Sequence, residues 1–478
     1  MKNRRFPYWI FVIALILRLI PVLLSYNLPI GLDDMFQYDM LARSIVAGDG
    51  FRWYAEDDLD LVERYISMEI PEEYDPRGIL TSFRAPGYPT FLALVYGVNG
   101  VGPHRFFAAR IAQAFLGATV PVTIWILAQQ LGFDERVGRW GAGIVAGFPL
   151  LVIYPLALAT ENLFVPLLSL GLVLLLQAGK RGRPVDYALV GVTFGAAALT
   201  RSVVAAFLPL ALAWLWWRTE RGQRTVALRR AALLVACFLV LTVPWAVRNS
   251  IIHGKPMWVE SALGYDLYVG YHPESSGTFQ YGISLDLIPI LDDGVRHDKG
   301  MEAFWRFVRE APGRIPVLMV NKAGFLWSLD RRALTYFYSN GFLGDLSTRV
   351  TILIFTLACL PLVILAPSAA FGLVCGRMDG PTGKDKGLLI LLFTYYTGVH
   401  MMILAEPRFH VPLLPLVALL AAYAWIERPW RDSRPWQIGV ALLLVALLFL
   451  NWGLEITRDW DELMALFGPD GHRLHFDY

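Results

Sequence analysis

Residues 203–248 read VVAAFLPLALAWLWWRTERGQRTVALRRAALLVACFLVLTVPWAVR, and much of the chain repeats their pattern. Two apolar runs, 203–217 and 231–248, flank a polar segment that carries Arg218, Arg221, Arg224, Arg229 and Arg230 against Glu220 alone. Apolar runs approaching twenty residues are the mark of helices that cross a bilayer. Comparable runs lie at about 8–26, 107–131, 137–154, 159–178, 185–201, 348–375, 387–404, 409–426 and 436–454. The 478 residues are 56% hydrophobic and 17% charged, against about 25% charged in soluble domains. These features exclude a cytosolic enzyme, a disordered chain and a disulfide scaffold. A membrane β-barrel is excluded too, because its strands are short and alternate.

The arginine-rich segment also sets the expected orientation, since Lys and Arg collect in short cytoplasmic loops. Lys2, Arg4 and Arg5 place the N-terminus inside. Lys180, Arg181 and Arg183 mark a further inner loop, as do Arg377, Lys384 and Lys386, and Arg428, Arg431 and Arg434. Parity holds only if the apolar piece 87–101 does not cross. It is short and contains Pro89, Gly97 and Gly100, which suits an interfacial or re-entrant position. The expectation is therefore an all-α polytopic membrane protein of about eleven spans, with the N-terminus inside and the C-terminus outside. The first run, lacking a cleavage pattern, is read as a retained helix. Residues 1–454 form the multi-helix domain, with outer loops 27–106 and 249–347, and 455–478 form a short outer tail. The loops are expected to hold interfacial helices, because 301–329 mixes apolar and charged positions. Arg18, inside the first span, is expected to snorkel.

Net charge is +2, so no bulk field suggests nucleic acid. Cys237, Cys359 and Cys375 lie in or beside apolar runs and form no ligand cluster, and the eight histidines show no metal-binding spacing. No cofactor is expected. Polar groups do recur at the outer ends of spans. Asp33 and Asp34 follow the first helix and open a helix-like stretch ended by Gly48 and Gly50. One acid suffices to cap a helix, so the second invites a role. Arg84 precedes the turn Ala85-Pro86-Gly87-Tyr88-Pro89, where a guanidinium suits a phosphate or simple head-group anchoring. Thr160-Glu161-Asn162, Thr200-Arg201-Ser202, Pro244-Trp245-Ala246-Val247-Arg248-Asn249 and Glu406-Pro407-Arg408-Phe409-His410 all map to the same face. Polar groups gathered on one face of a bundle suggest a site.

In order along the chain, these motifs resemble the C-type glycosyltransferases, and most closely the bacterial relatives of dolichyl-phosphate-mannose–protein mannosyltransferases and aminoarabinose transferases. The resemblance runs from residue 10 to about 425. It rests on Asp33-Asp34, Tyr38, Leu41-Ala42-Arg43, Gly48-x-Gly50, Arg84-Ala-Pro86-Gly87-Tyr88-Pro89, Ala159-Thr160-Glu161, Ala198-Leu199-Thr200-Arg201, Pro244-Trp245-x-x-Arg248-Asn249 and Glu406-x-Arg408-x-His410-x-Pro412. Phe36 and Gln37 depart from the aminoarabinose enzymes, which have an arginine and a tyrosine there.

The resemblance implies inverting transfer at the outer face of the cell membrane, from a polyprenyl-phosphate-linked sugar to a hydroxyl of a lipid, glycan or protein. It implies Asp33 as base with Asp34 beside it, and Arg84, Arg201, Arg248, Arg408 and His410 toward the donor phosphate. Tyr38, Tyr88, Glu161, Asn249 and Glu406 would complete the pocket. A transporter or flippase, and a non-catalytic envelope assembly subunit, remain alternatives. The former should show midplane polar groups and a repeat, and neither is evident.

Overall fold

The structure is a computed structural model describing all residues except 1–4, 71, 332–337, 339–343, 345, 377–379, 469–470 and 472–478, and all side chains among these except those of 221 and 380–382. Lys2, Arg4 and Arg377, and the end of the expected tail, lie outside the described residues.

The first half contains α1 (Phe6–Leu24), α2 (Asp34–Ala47), α3 (Glu56–Val62), α4 (Gly87–Asn99), α5 (Arg105–Gln130), α6 (Glu135–Gly147), α7 (Pro149–Ile153), α8 (Glu161–Arg181), α9 (Pro184–Thr200), α10 (Val203–Arg218) and α11 (Arg224–His253). The second half contains α12 (Leu263–Tyr271), α13 (Tyr281–Leu285), α14 (Asp293–Glu310), α15 (Arg314–Leu326), α16 (Thr348–Val374), α17 (Gly380–Met402), α18 (Leu414–Glu427), α19 (Pro435–Arg458) and α20 (Trp460–Leu466). The only strands among the described residues, β1 (Arg52–Trp53) and β2 (Ile79–Leu80), pair antiparallel and pin the first large loop.

Every apolar run picked out in the sequence is helical. Among the described residues seven helices are long and apolar enough to cross a membrane, or eight if the bent pair α6–α7 forms one span; α9 and α10 are shorter apolar helices. The chain is thus a multi-pass membrane protein, and the expected eleven crossings exceed what length and composition alone establish. Helix α18 lies in the core: Leu414 to Ala422 are all buried, as expected of a helix apolar on every side. Its neighbours include α5, α6 and α16. Helix α4, at 13 residues, is about 20 Å long and short of the roughly 30 Å hydrocarbon core. It packs on α2.

The basic loops gather at one end. Asp385 receives Arg218 Nε at 2.6 Å and Lys180 Nζ at 3.1 Å, and Gly376 N–H donates to Ser433 Oγ at 2.7 Å. The opposite end is covered by α2–α4 and α12–α15, held by a second apolar core that includes Phe36, Trp53, Phe83, Tyr265 and Leu291. Gly48 ends α2 in the left-handed region, at φ +85°, where a side chain would be strained.

Arg18 does not snorkel. It is buried, and its guanidinium donates to Ala14 O at 3.1 Å, Ala146 O at 3.2 Å and Val145 O at 3.2 Å. The last two carbonyls end α6, where the chain bends by 55° into Pro149 and the short helix beyond. A proline supplies no N–H for an upstream carbonyl, and no water substitutes inside a bilayer. Arg18 supplies the donors. Gly117 makes room: a Cβ there would stand 2.9 Å from Arg18 Nε.

Candidate active site

A cavity of about 920 Å³ opens between the loop end and the bundle. Its polar wall begins at α2. Asp33 is the N-cap, and its Oδ1 accepts the Met35 N–H at 2.8 Å. Asp34, the first helical residue, turns into the cavity and meets two guanidiniums: Arg84 Nη2 donates to Oδ1, and Arg408 Nη2 lies 2.8 Å from Oδ2. Arg408 Nε also donates to Glu406 Oε2 at 2.6 Å. Arg84, Asp34, Arg408 and Glu406 thus form one continuous chain of alternating charge. Gln37 Oε1 takes Arg84 Nε at 2.8 Å, and the Tyr38 ring lies 5.5 Å beneath the guanidinium. Burial pushes the Tyr38 hydroxyl up to about 12, so it stays a neutral donor.

A second pair stands alongside. Arg201 leaves α9 in extended conformation, so its side chain reaches back to Glu161 Oε1 at the start of α8 and lies 4.9 Å over the Phe409 ring. Each of these three guanidiniums keeps N–H groups that the bonds named here do not use, since arginine carries five. The apolar remainder of the wall comes from membrane helices and the α7 segment, including Leu150, Ile153, Ala205, Phe238 and Val399. Among the described residues no three His, Cys, Asp or Glu side chains converge as a metal site.

The structure therefore brings Asp33, Asp34, Tyr38, Arg84, Glu161, Arg201, Glu406 and Arg408 to one cavity. Four expected residues do not line it. Tyr88 is buried beneath Tyr38, ring centroids 5.0 Å apart, with its hydroxyl on Gln113. Arg248 ties down the first loop through Thr81 O and Phe51 O, the latter at 3.1 Å. Asn249 holds the chain reversal after α11, donating to Trp258 O at 2.8 Å and Val259 O at 3.1 Å. His410 is buried behind the wall and bonded to Asp330. In each case a polar residue at a helix end satisfies backbone or a neighbour rather than a ligand.

Three carboxylates that the sequence did not single out do face the cavity: Glu260, Asp266 and Asp330. Ser202 Oγ donates to Glu260. Burial, then the negative neighbours Glu260, Glu406 and Asp34, outweigh Arg84 and push Asp266 up to about 7. Folding then favours protonated Asp266. Its contribution to stability is complete below the usual value of 3.8 and is lost as pH rises through about 7. The melting temperature of purified wild type should therefore fall between pH 5 and pH 8 more than that of Asp266→Asn; equal falls would remove the effect.

Long apolar helices over a two-loop cap, with one charged cavity between them, make the C-type glycosyltransferase fold. Residues 84–247 match the family model of the dolichyl-phosphate-mannose-protein mannosyltransferases, and this relates the chain to the C-type glycosyltransferases. No curated protein sequence matches. Among solved structures, the oligosaccharyltransferase of Archaeoglobus fulgidus in its apo form superposes with a TM-score of 0.53 at 13% identity, over 100% of this chain and 62% of that one. Its complex with Zn and sulfate gives 0.50 at 14%, over 99% and 58%. ArnT of Cupriavidus metallidurans bound to undecaprenyl phosphate gives 0.47 at 15%, over 95% and 64%. The chain spans less than two thirds of each.

Proposed function

We propose that the protein is an inverting glycosyltransferase that moves a sugar from a polyprenyl-phosphate donor to an acceptor hydroxyl at the outer face of the cell membrane. The observation that carries this reading is the convergence of Arg84, Arg201 and Arg408 on a cavity that also has an apolar side made by membrane helices. A phosphate on a lipid tail needs both halves at once: guanidiniums for the oxygens and an apolar path for the chain. In the reaction Asp33 takes the proton of the acceptor hydroxyl and the acceptor oxygen bonds to C1 of the sugar. The bond from C1 to the phosphate oxygen breaks, and polyprenyl phosphate leaves with the electron pair. Asp34, engaged by two arginines, is a poor proton acceptor and serves to aim them. Arg84 and Arg408 stabilise the charge of the leaving phosphate.

The test is transfer in liposomes. Purified protein supplied with polyprenyl-phosphate sugars and a membrane extract as acceptor should release polyprenyl phosphate in step with glycosylated product. Movement of the donor across the bilayer without product would instead favour a flippase. Orientation is tested separately. Glu274 and Gln223 are both exposed. A thiol at Glu274→Cys should react with an impermeant reagent added to whole cells, and one at Gln223→Cys should not. The opposite pattern would place the cavity inside.

A further inference from the structure

We propose that Asp330 receives a hydroxyl of the sugar on the lipid-phosphate donor through its Oδ2, with His410 as the residue that positions it; this rests on the reading of the cavity given above. Asp330 follows α15 and is 4% exposed, yet it lines the cavity. Its Oδ2 is buried and has no hydrogen-bond partner among the described residues. Buried polar atoms are nearly always satisfied, so an unpaired oxygen on a residue of the cavity wall points to a ligand.

The chemistry of that oxygen follows from His410. Its Nδ1 lies 2.7 Å from Leu326 O. A carbonyl only accepts, so Nδ1 carries hydrogen. Nε2 lies 2.8 Å from Asp330 Oδ1, and one proton sits between them. With that proton on Nε2 the pair is imidazolium and carboxylate; with it on Oδ1 the pair is neutral. In both forms Oδ2 offers only lone pairs. Its ligand must bring an O–H or N–H.

The aspartate is also held in place before any ligand arrives. Leu329 N–H donates to Glu455 Oε2 at 2.9 Å and Arg331 Nε to Glu455 Oε1 at 2.7 Å. The His410 ring stacks on Trp327 with the planes 6° apart. Rigid support of this kind is what a binding group requires.

The position selects the sugar. His410, bonded to Asp330, shares the 3-10 segment Pro407–Leu413 with Arg408, so Asp330 is tied to the segment that carries one of the guanidiniums assigned to the phosphate. The lipid tail carries no donor, and a phosphate would be repelled by a carboxylate. The sugar next to that phosphate is rich in hydroxyls. The acceptor is expected from the side of Asp33, which is exposed. A site built around a buried acceptor discriminates strongly against a ligand that lacks the matching donor.

The experiment is equilibrium binding to the full-length protein in nanodiscs. The probes are undecaprenyl phosphate alone and the same lipid carrying mannose, glucose, galactose, N-acetylglucosamine or arabinose. Wild type should bind at least one sugar-bearing lipid more tightly than the bare phosphate. Asp330→Leu should weaken that lipid about 10–100-fold and leave the bare phosphate unchanged. Asp330→Ser, in which a hydroxyl and a water can satisfy His410, gives the same readout if the leucine variant does not fold. Three results would overturn the assignment: unchanged affinity for the sugar-bearing lipid, equal loss for both lipids, or no sugar preference in wild type. Failure of wild type to bind even undecaprenyl phosphate would instead overturn the reading of the cavity itself.

Discussion

Asp33→Asn should lower turnover by roughly two orders of magnitude or more, within the 10²–10⁴-fold range of a positioned base, while donor binding stays close to wild type. The substitution is well isolated by the structure. Asn is as good an N-cap as Asp, so its side-chain oxygen can still accept the Met35 N–H, and α2 keeps its start and with it the placement of Asp34. What is lost is a carboxylate able to hold a proton. The measurement is single-turnover transfer alongside binding of the lipid donor. Should Asp33→Asn retain full turnover while Asp34→Asn abolishes it, the two acids exchange roles. Should neither matter, the fold would be serving binding or assembly without catalysis.

Arg408→Ala should act on both binding and turnover, with a loss of about 10²–10³-fold in kcat/KM. Arg408 links Asp34 at 2.8 Å to Glu406 at 2.6 Å. Its removal takes away one cation from the phosphate and leaves Glu406, almost fully buried, without that partner. A phosphate is charged in ground and transition states alike, so KM should rise as kcat falls. Arg84→Ala should behave similarly, whereas Arg248→Ala, whose guanidinium holds loop carbonyls, should lower the melting temperature and affect KM less than either. A KM effect of Arg248→Ala as large as that of Arg408→Ala would return Arg248 to the donor site.

Most of the architecture was legible because apolar runs near twenty residues are hard to misread. The break between α6 and α7 was not. Gly147-Phe148-Pro149 sits within continuous apolar sequence, and only the path of the chain reveals two helices. The role of Arg18 was hidden with it, since two of the carbonyls it satisfies, those of Val145 and Ala146, lie more than a hundred residues away. Within the site, Asp34, Arg84, Glu161, Arg201, Glu406 and Arg408 stood out because each follows or precedes an apolar span. Arg248, Asn249 and His410 looked the same by that criterion. A polar residue at a span end reads alike whether it faces a cavity or fastens a loop. Glu260, Asp266 and Asp330 lie in the second large segment, where charged residues are common and no spacing marks three of them as neighbours. Gln37 was noted only as a departure, yet it orients Arg84.

The partnership of Arg18 with the end of α6 also bears on how the protein is made. An arginine at the middle of an isolated span opposes insertion by about 2.5–3.5 kcal/mol, and α1 leaves the ribosome long before α6 exists to receive it. The first helix therefore enters the membrane with an unfilled debt of hydrogen bonds that only a later helix discharges. Biogenesis is then coupled to sequence order, because the carbonyls of Val145 and Ala146 that receive Arg18 are synthesised more than a hundred residues later.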